Sequence, residues 1–213
     1  MDYINNSEEI LSRKERERQF KRNEILKAAC KIFAEKGFEN STLDEIAEAS
    51  EYGKGTLYNY FQNKEDIYVA LLEMIIQNYL NMLSESANKT DNIFDFLKIV
   101  TEELIKFSLN NDDAFLLLTK MRAIPNGESH LKKSKKLEEH LSNVNQIYTK
   151  YFNKSVENGE IRKIDNETIL VLYRNLAFSY IYHLKYCKKL ENIDIKKESQ
   201  FLLDFLFNGI KNN

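Results

Sequence analysis

The sequence predicts an all-α protein of about nine helices, and two features of its composition support this fold class. The 213 residues include one proline and six glycines, so long stretches contain no helix breaker. Apolar residues make up 43% of the chain, enough for a buried core, and many segments repeat them at helical spacing. We expect a three-helix N-terminal domain over residues 13–64 and a larger helical domain over residues 65–213.

The first helix is predicted from an apolar stripe that ends at a glycine. Ile25, Ala29, Ile32 and Phe33 recur on one helical face, and Gly37 follows where a glycine in the left-handed conformation would end the helix. A basic segment, residues 13–22 (RKERERQFKR), precedes the stripe. It has six Lys or Arg and two Glu, a local charge of +4 in a chain of net charge −2. Such a patch fits either an anchor for phosphates or an ordinary solvated helix start.

The second and third helices are short and are joined by a tight turn. Thr42 and Glu45 have the spacing of a capping box, which opens a helix with Leu43, Ile46 and Ala47 facing inward. After a break at residues 50–53, helical periodicity resumes over residues 54–61.

This arrangement is the helix-turn-helix plan, and the third helix would be the recognition helix. If Leu57 and Phe61 point inward, Gly55 and Asn59 lie on the opposite face, with Thr56 and Tyr58 at its flanks. Small and hydrogen-bonding residues there suit a DNA groove, although an ordinary polar surface has the same pattern.

Three sequence motifs resemble one known family. F-x-x-x-G-F-x-x-x-T begins at Phe33, I-A-E-A at Ile46, and K-G-T-L-Y-x-Y-F-x-x-K-E at Lys54. Their order and spacing resemble the DNA-binding domain of the tetracycline-repressor (TetR-like) family of transcriptional regulators. The resemblance implies contacts to double-stranded DNA from Thr42, Lys54, Gly55, Thr56, Tyr58, Asn59, Tyr60 and Lys64.

The resemblance also implies what several of these residues do. Thr42, Tyr58 and Lys64 would meet phosphates, while residues 54–56 open the recognition helix at the major groove. Tyr60 stands where many members have His. Asn59 occupies the variable position and is our candidate for base reading, because an amide can pair bidentately with adenine.

The turn between the second and third helices departs from the family pattern, which usually has Gly then Val. This chain has Glu51, Tyr52 and Gly53. Either Glu51 adopts the turn conformation without the freedom of a glycine, or the turn shifts toward Gly53. We expect Glu51 to point away from DNA, because its charge would repel phosphate.

The rest of the chain predicts further helices. Asn63 and Asp66 cap a fourth helix. Helical patterns follow at about 91–109, 112–122, 129–158, 166–187 and 197–211, and Gly159 marks a plausible helix end.

The last two helices are apolar on more than one side, so they must be buried on two sides. This favours a homodimer built as a four-helix bundle, which the resemblance also implies, over a monomer whose core surrounds them. The predicted interface is Leu172, Leu176, Tyr180, Leu202, Phe205, Leu206, Gly209 and Ile210.

The middle helices are rich in aromatic residues, and the resemblance implies an inducer pocket there that is mainly apolar with a few polar groups. For each residue, ordinary core packing is the competing interpretation. The candidates are Phe107, Phe115, Met121, Tyr148, Tyr151, Phe152, Tyr173, Arg174, Asn175 and Phe178.

No motif of a catalytic site or a nucleotide-binding loop occurs, so we do not expect an enzyme. Cys30 and Cys187 are isolated, which argues against a disulfide framework or a metal site. No apolar stretch approaches the ~20 residues of a membrane span, and the charged N-terminus lacks a secretion signal. We therefore expect a cytoplasmic protein without a cofactor, metal or membrane partner.

The sequence thus predicts a regulator, a repressor in the first instance, that binds a palindromic operator as a dimer and is released by a partly apolar small molecule. The alternative is a DNA-bound protein-interaction factor on the same fold, without a small-molecule inducer.

Overall fold

The structure is a computed structural model that describes residues 12–123, 134–188 and 192–209, with the side chains of 121–123 also left undescribed. These ranges contain nine α-helices and no strand, which confirms the all-α prediction. None of the helices in this part of the chain is long and apolar enough to cross a membrane. The helices are α1 (Arg13–Lys36), α2 (Leu43–Ala49), α3 (Lys54–Tyr58), α4 (Lys64–Ala87), α5 (Ile93–Asn110), α6 (Asp112–Ala123), α7 (Lys135–Glu157), α8 (Asn166–Tyr182) and α9 (Ile195–Asn208).

The chain divides into two compact units. The first ends at Leu71 and the second begins at Leu72, so the division falls within α4 and beyond the predicted boundary after residue 64. We keep 13–64 and 65–213 as the functional division that the sequence predicts.

The core of the first unit is built on α1. Its buried face holds Ile25, Ala29 and Phe33, as the stripe predicts, whereas Ile32 is only half-buried. The ring of Tyr68 on α4 meets Phe33 edge-on at 5.2 Å and Phe38 at 4.9 Å. Aromatic pairs of this kind contribute about 0.5–1.5 kcal/mol beyond the burial of their surface, so they fix the start of α4, within the first unit, against α1.

The second unit is centred on α5, which packs against α6, α7, α8 and α9. Phe96, in the first turn of α5, is stacked on Tyr151 at 4.0 Å and lies edge-on to Tyr148 at 5.6 Å. On α8, Tyr173 and Phe178 are buried as well. The unit therefore has an unusually aromatic interior.

The end of α9 differs from the one that periodicity predicts, whereas α7 and α8 show no such disagreement. α7 begins at Lys135, after Ser134 as its N-cap, and its predicted start at residue 129 lies outside the described residues. α8 ends at Tyr182 and is followed by one π-helical turn, His183–Cys187, so helical structure reaches the predicted residue 187. α9 ends at Asn208, because Gly209 has φ 70° and ψ −154°, a conformation that only glycine adopts readily. Gly209 therefore caps α9, and its predicted place on the helix face is wrong.

The end of α7 agrees with the prediction. The helix stops at Glu157, and Gly159 follows with φ 72°.

Candidate DNA-binding and effector sites

The predicted capping box is present at the start of α2. The amide of Glu45 donates to Thr42 Oγ1 at 3.2 Å, and Glu45 Oε2 accepts from the amide and the hydroxyl of Thr42, each at 2.9 Å. Lys36 Nζ lies 2.5 Å from Glu45 Oε1. The hydrogen bonds from Lys36 and Thr42 hold the pKa of Glu45 below its ordinary value. The Thr42 hydroxyl is therefore engaged within the domain, and its predicted phosphate contact would require these bonds to rearrange.

The turn between α2 and α3 takes the first of the two predicted forms. Glu51 has φ 59°, which makes it the one non-glycine residue at positive φ among the described residues. Gly53 has φ −64° and serves as the N-cap of α3, so it uses none of its special freedom. A side chain in the left-handed conformation costs roughly 1–2 kcal/mol. The turn thus stores strain at Glu51, which is exposed.

α3 is five residues long and ends before the predicted Phe61. Past Tyr58 the chain continues as a turn in which the amides of Tyr60 and Phe61 both donate to Leu57 O at 2.9 Å. Leu57 and Phe61 are buried, as predicted.

The opposite face of α3 is open to solvent. Gly55 and Asn59 are exposed, and so is Tyr58, with 58% of its surface accessible. Thr56 and Tyr60 are half-buried at its edges. An added Cβ at Gly55 would meet nothing within 4 Å inside the chain. The outward placement is therefore as predicted, and contact with DNA stays a prediction.

Lys54 pairs with Asp44 across the gap between α3 and α2. Nζ and Oδ2 are 2.6 Å apart, and the two side chains are 59% and 63% exposed. Exposed pairs of this kind contribute about 0–1 kcal/mol, so phosphate can displace the aspartate.

Lys64 is placed differently. Its ammonium donates to Phe38 O at 2.6 Å, to Ser41 O at 2.8 Å and more weakly to Glu39 O at 3.4 Å. It also lies 4.4 Å from the centre of the Phe38 ring. The side chain predicted to meet phosphate thus binds the turn between α1 and α2.

The basic segment forms the first turns of α1. Ser12 and Glu15 form a second capping box, and the bonds from Ser12 lower the pKa of Glu15. Residues 13–21 are all exposed, and the guanidinium of Arg22 lies 5.3 Å from the Phe61 ring centre. The segment is therefore a solvent-exposed helix that joins the domain next to the end of α3.

The predicted dimer residues separate into exposed and interior groups. Leu172 and Phe205 are 54% and 42% exposed, and Gly209 is exposed beyond the end of α9. Leu202 is 2% exposed and belongs to the core of its own chain, so it cannot also cover a partner. Ile210 lies outside the described residues. The half-buried members are Leu176, Tyr180 and Leu206.

Two exposed apolar residues were missed at this surface. Val171 and Phe201 are 40% and 55% exposed. The Phe201 ring contacts that of Tyr180 at 5.4 Å, and Tyr180 donates a short hydrogen bond to Glu198. Burial and this bond raise the pKa of Tyr180. We call the exposed set Val171, Leu172, Phe201 and Phe205 the α8–α9 apolar face.

Most of the predicted effector residues lie in the aromatic interior of the second unit. Asn175 is exposed and Phe107 and Arg174 are half-buried. The side chain of Met121 lies outside the described residues. The buried members are Phe115, Tyr148, Tyr151, Phe152, Tyr173 and Phe178.

Tyrosine hydroxyls form a polar centre within this interior. Those of Tyr79 and Tyr148 are 2.5 Å apart, and Tyr173 Oη lies 3.0 Å from Thr101 Oγ1. Burial, together with Tyr79 and Tyr173, holds the pKa of Tyr148 well above its ordinary value, while the guanidinium of Arg174 acts in the opposite direction. The hydroxyl of Tyr148 therefore stays protonated and can act as a hydrogen-bond donor.

Two buried nitrogens have no hydrogen-bond partner among the described residues. They are Nε of Arg174 on α8 and Nδ1 of His140 on α7. Arg174 uses another nitrogen for Asn145 Oδ1, 3.3 Å away. An unpaired buried polar atom costs about 1–3 kcal/mol, so each is a candidate contact for a bound molecule. Sequence reasoning missed His140, because a lone histidine on a helix gives no local signal.

Residues 25–71 match the family model of bacterial regulatory proteins, tetR family. The fatty acid metabolism regulator protein of Bacillus subtilis is 26% identical over 192 residues, covering 89% of this chain and 95% of the relative. An HTH-type transcriptional regulator of Staphylococcus aureus is 26% identical over 90 residues, and the chain spans about half (49%) of its length. The crystal structure of the transcriptional regulator FadR from Bacillus subtilis in complex with stearoyl-CoA is similar to this chain, with a TM-score of 0.73 and 20% identity. The match covers 89% of this chain and 99% of the FadR chain.

Residues 25–71, which lie within the first unit, therefore carry a domain of the tetR family of regulatory proteins. The chain is a TetR-like transcriptional regulator, which confirms the family that its three motifs predicted.

Proposed function

We propose that the protein is a ligand-responsive repressor that binds a palindromic operator as a homodimer and releases it when a small amphipathic molecule binds the second unit. The observation that carries the proposal is the exposed polar face of α3, in a chain that resembles a fatty acid metabolism regulator over almost its whole length.

DNA contact is proposed for the outward face of α3 and its flanks. Asn59 would read bases, Tyr58 would bind phosphate, and Lys54 would exchange Asp44 for phosphate. Gly55 lets the backbone approach the groove closely, while Thr56 and Tyr60 line its edges. The basic segment of α1 would add phosphate contacts.

The homodimer is proposed to form through the α8–α9 apolar face. A second copy would cover it, because two-fold dimers are the commonest soluble oligomers and charged residues are scarce at the centre of such interfaces. Two copies present two α3 helices, which can enter successive major grooves about 34–36 Å apart.

The proposed effector is a long-chain acyl compound with an acidic or phosphorylated head group. The aromatic interior suits an alkyl chain, while Arg174 and the tyrosine hydroxyls offer donors to the head group. The solved neighbour with stearoyl-CoA supports this class. Release needs a preference for the DNA-incompetent state, and about 1–3 kcal/mol of coupling is typical.

The test is fluorescence anisotropy with DNA fragments from upstream of the chain's own gene, repeated across salt concentrations. We expect sequence-selective binding that weakens with salt, and release by stearoyl-CoA but not by coenzyme A alone. Release by stearate would show that an acyl carboxylate is sufficient. Release by stearoyl-CoA but not by stearate would show that the phosphorylated head group is required. Binding that no acyl compound reverses would favour the protein-interaction factor, and the absence of salt-sensitive, selective binding would refute the DNA-binding role.

A further inference from the structure

We propose that Lys64 is a positioning residue of the helix-turn-helix, which holds the turn between α1 and α2, and that it does not itself contact phosphate. The inference rests on the proposed DNA binding only where its test measures affinity for DNA. Its structural basis lies wholly within the first unit.

The contacts of Lys64 account for its hydrogen-bonding capacity. An ammonium group has three donors, and three backbone carbonyls surround this one, those of Phe38, Glu39 and Ser41. The Phe38 ring lies against the same charge at 4.4 Å, a distance at which a cation is attracted to the ring face. These three hydrogen bonds, all to described residues, use the three donors of the ammonium group, so no donor remains for a DNA phosphate.

The turn that Lys64 holds leads directly into the DNA-binding helices. Gly37 ends α1 at φ 79°, and Ser41 Oγ donates to Phe38 O at 2.7 Å. The next residue, Thr42, is the N-cap of α2. Because a helix starts where its cap is held, the position of the turn sets where α2 begins and how α3 is presented.

Lys54 provides the matched control within the same domain. Its ammonium pairs with one exposed carboxylate that phosphate can displace. The two lysines therefore predict opposite responses to removal of charge. Loss of one phosphate contact lowers the slope of log affinity against log salt by about 0.9.

The experiment compares Lys64→Met and Lys54→Met with the wild-type protein by salt-titrated anisotropy and by amide hydrogen exchange. For Lys64→Met we expect the wild-type salt slope, weaker binding at every salt concentration, and about tenfold faster exchange at Ser41 and Glu45. For Lys54→Met we expect unchanged exchange and a slope lower by about 1.8, because the dimer loses one phosphate contact from each of its two copies. A lower slope for Lys64→Met, or unchanged exchange, overturns the proposal.

A second measurement uses the wild-type protein and does not depend on a variant that folds. Nitrogen-15 NMR of the lysine ammonium groups should show a Lys64 signal that keeps its shift when DNA is added, while the Lys54 signal moves. Movement of the Lys64 signal by as much as that of Lys54 would also overturn the proposal. If the wild-type protein binds no DNA, the proposed function fails, and amide exchange alone decides the role of Lys64.

Discussion

The molecule exposes two surfaces of opposite chemistry. On the first unit, the outward face of α3 presents a glycine, an amide and a phenol, at Gly55, Asn59 and Tyr58. On the second unit, the α8–α9 apolar face presents aliphatic and aromatic side chains, among them Leu172 and Phe205. The polar groups of the first surface are well solvated by water. Covering the apolar area of the second surface is favourable, because it removes that area from water.

The difference indicates which partner each surface fits. A hydrated polar surface can exchange water for phosphates and base edges without a large gain from desolvation. Exposed apolar side chains lose contact with water when they are buried against another apolar surface, so we expect this face to form a protein contact. We therefore expect a change on the apolar face to weaken both dimerisation and DNA binding. A change on α3 should weaken DNA binding alone.

The largest expected effect comes from Phe205→Asp, which places a charge on the apolar face. We expect the dimer and operator binding to weaken by at least a hundredfold, on the order of 3 kcal/mol, because the charge must be desolvated. Analytical ultracentrifugation and anisotropy measure the two losses. Leu109→Asp on α5, also exposed in the second unit, is the matched control and should leave both unchanged. A folded monomer that still binds the operator selectively would refute the dimer.

Asn59→Ala should alter sequence preference while leaving the dimer intact. A bidentate amide contact contributes about 1–3 kcal/mol of discrimination, so selectivity should fall at particular base pairs of each half-site. Binding to a library of operators with single substitutions measures this. Equal weakening at every sequence would show that Asn59 reads no base.

Tyr58→Phe should weaken binding to all sequences by a smaller amount. One hydrogen bond contributes about 0.5–1.5 kcal/mol, and the dimer loses one from each copy, so affinity should fall by about fivefold to about a hundredfold. Anisotropy on specific and unrelated DNA should show the same factor. A loss confined to the operator would assign Tyr58 to base reading.

Glu51→Gly should have the smallest effect on DNA binding. Unlike the other variants, it should make the protein more stable. Glycine relieves the strain at φ 59°, although it also increases the entropy of the unfolded chain. We expect a net increase of about 1 kcal/mol in the free energy of unfolding, measured by urea denaturation. Gly53→Ala is the control, because that residue has φ −64° and open space around its Cβ position. An unchanged or lower stability for Glu51→Gly would show that the turn carries no strain.

The sequence predicted the first unit well because its signals are local. The capping box spans the four residues from Thr42 to Glu45, the stop at Gly37 follows from a single position, and strain at Glu51 was one of the two predicted forms of the turn. The contacts of Lys64 were not predictable, because its carbonyl partners lie 23–26 residues earlier in the chain. Sequence spacing gives no information on such tertiary contacts.

The second unit was predicted in its helices but less well in its surfaces. α9 is apolar on several sides, so periodicity could not show that Leu202 and Leu203 face the core while Phe201 and Phe205 face outward. Packing against α5 and α8 decides this. The end of α9 was also not predicted, because the apolar pattern of the sequence continues past Gly209, the residue that caps the helix.

The exposed start of α1 also makes the protein convenient to study. A stretch of helix without tertiary support is marginally stable, so the exposed residues 13–21 at the start of α1 should open often enough for a protease to cleave them. Trypsin cleaves after Lys and Arg, which are abundant here. Digestion of the native protein should therefore begin at its N-terminal end, and bound DNA should delay those first cuts. The rate at which the shortened band appears on a gel would then report occupancy of the operator without any label.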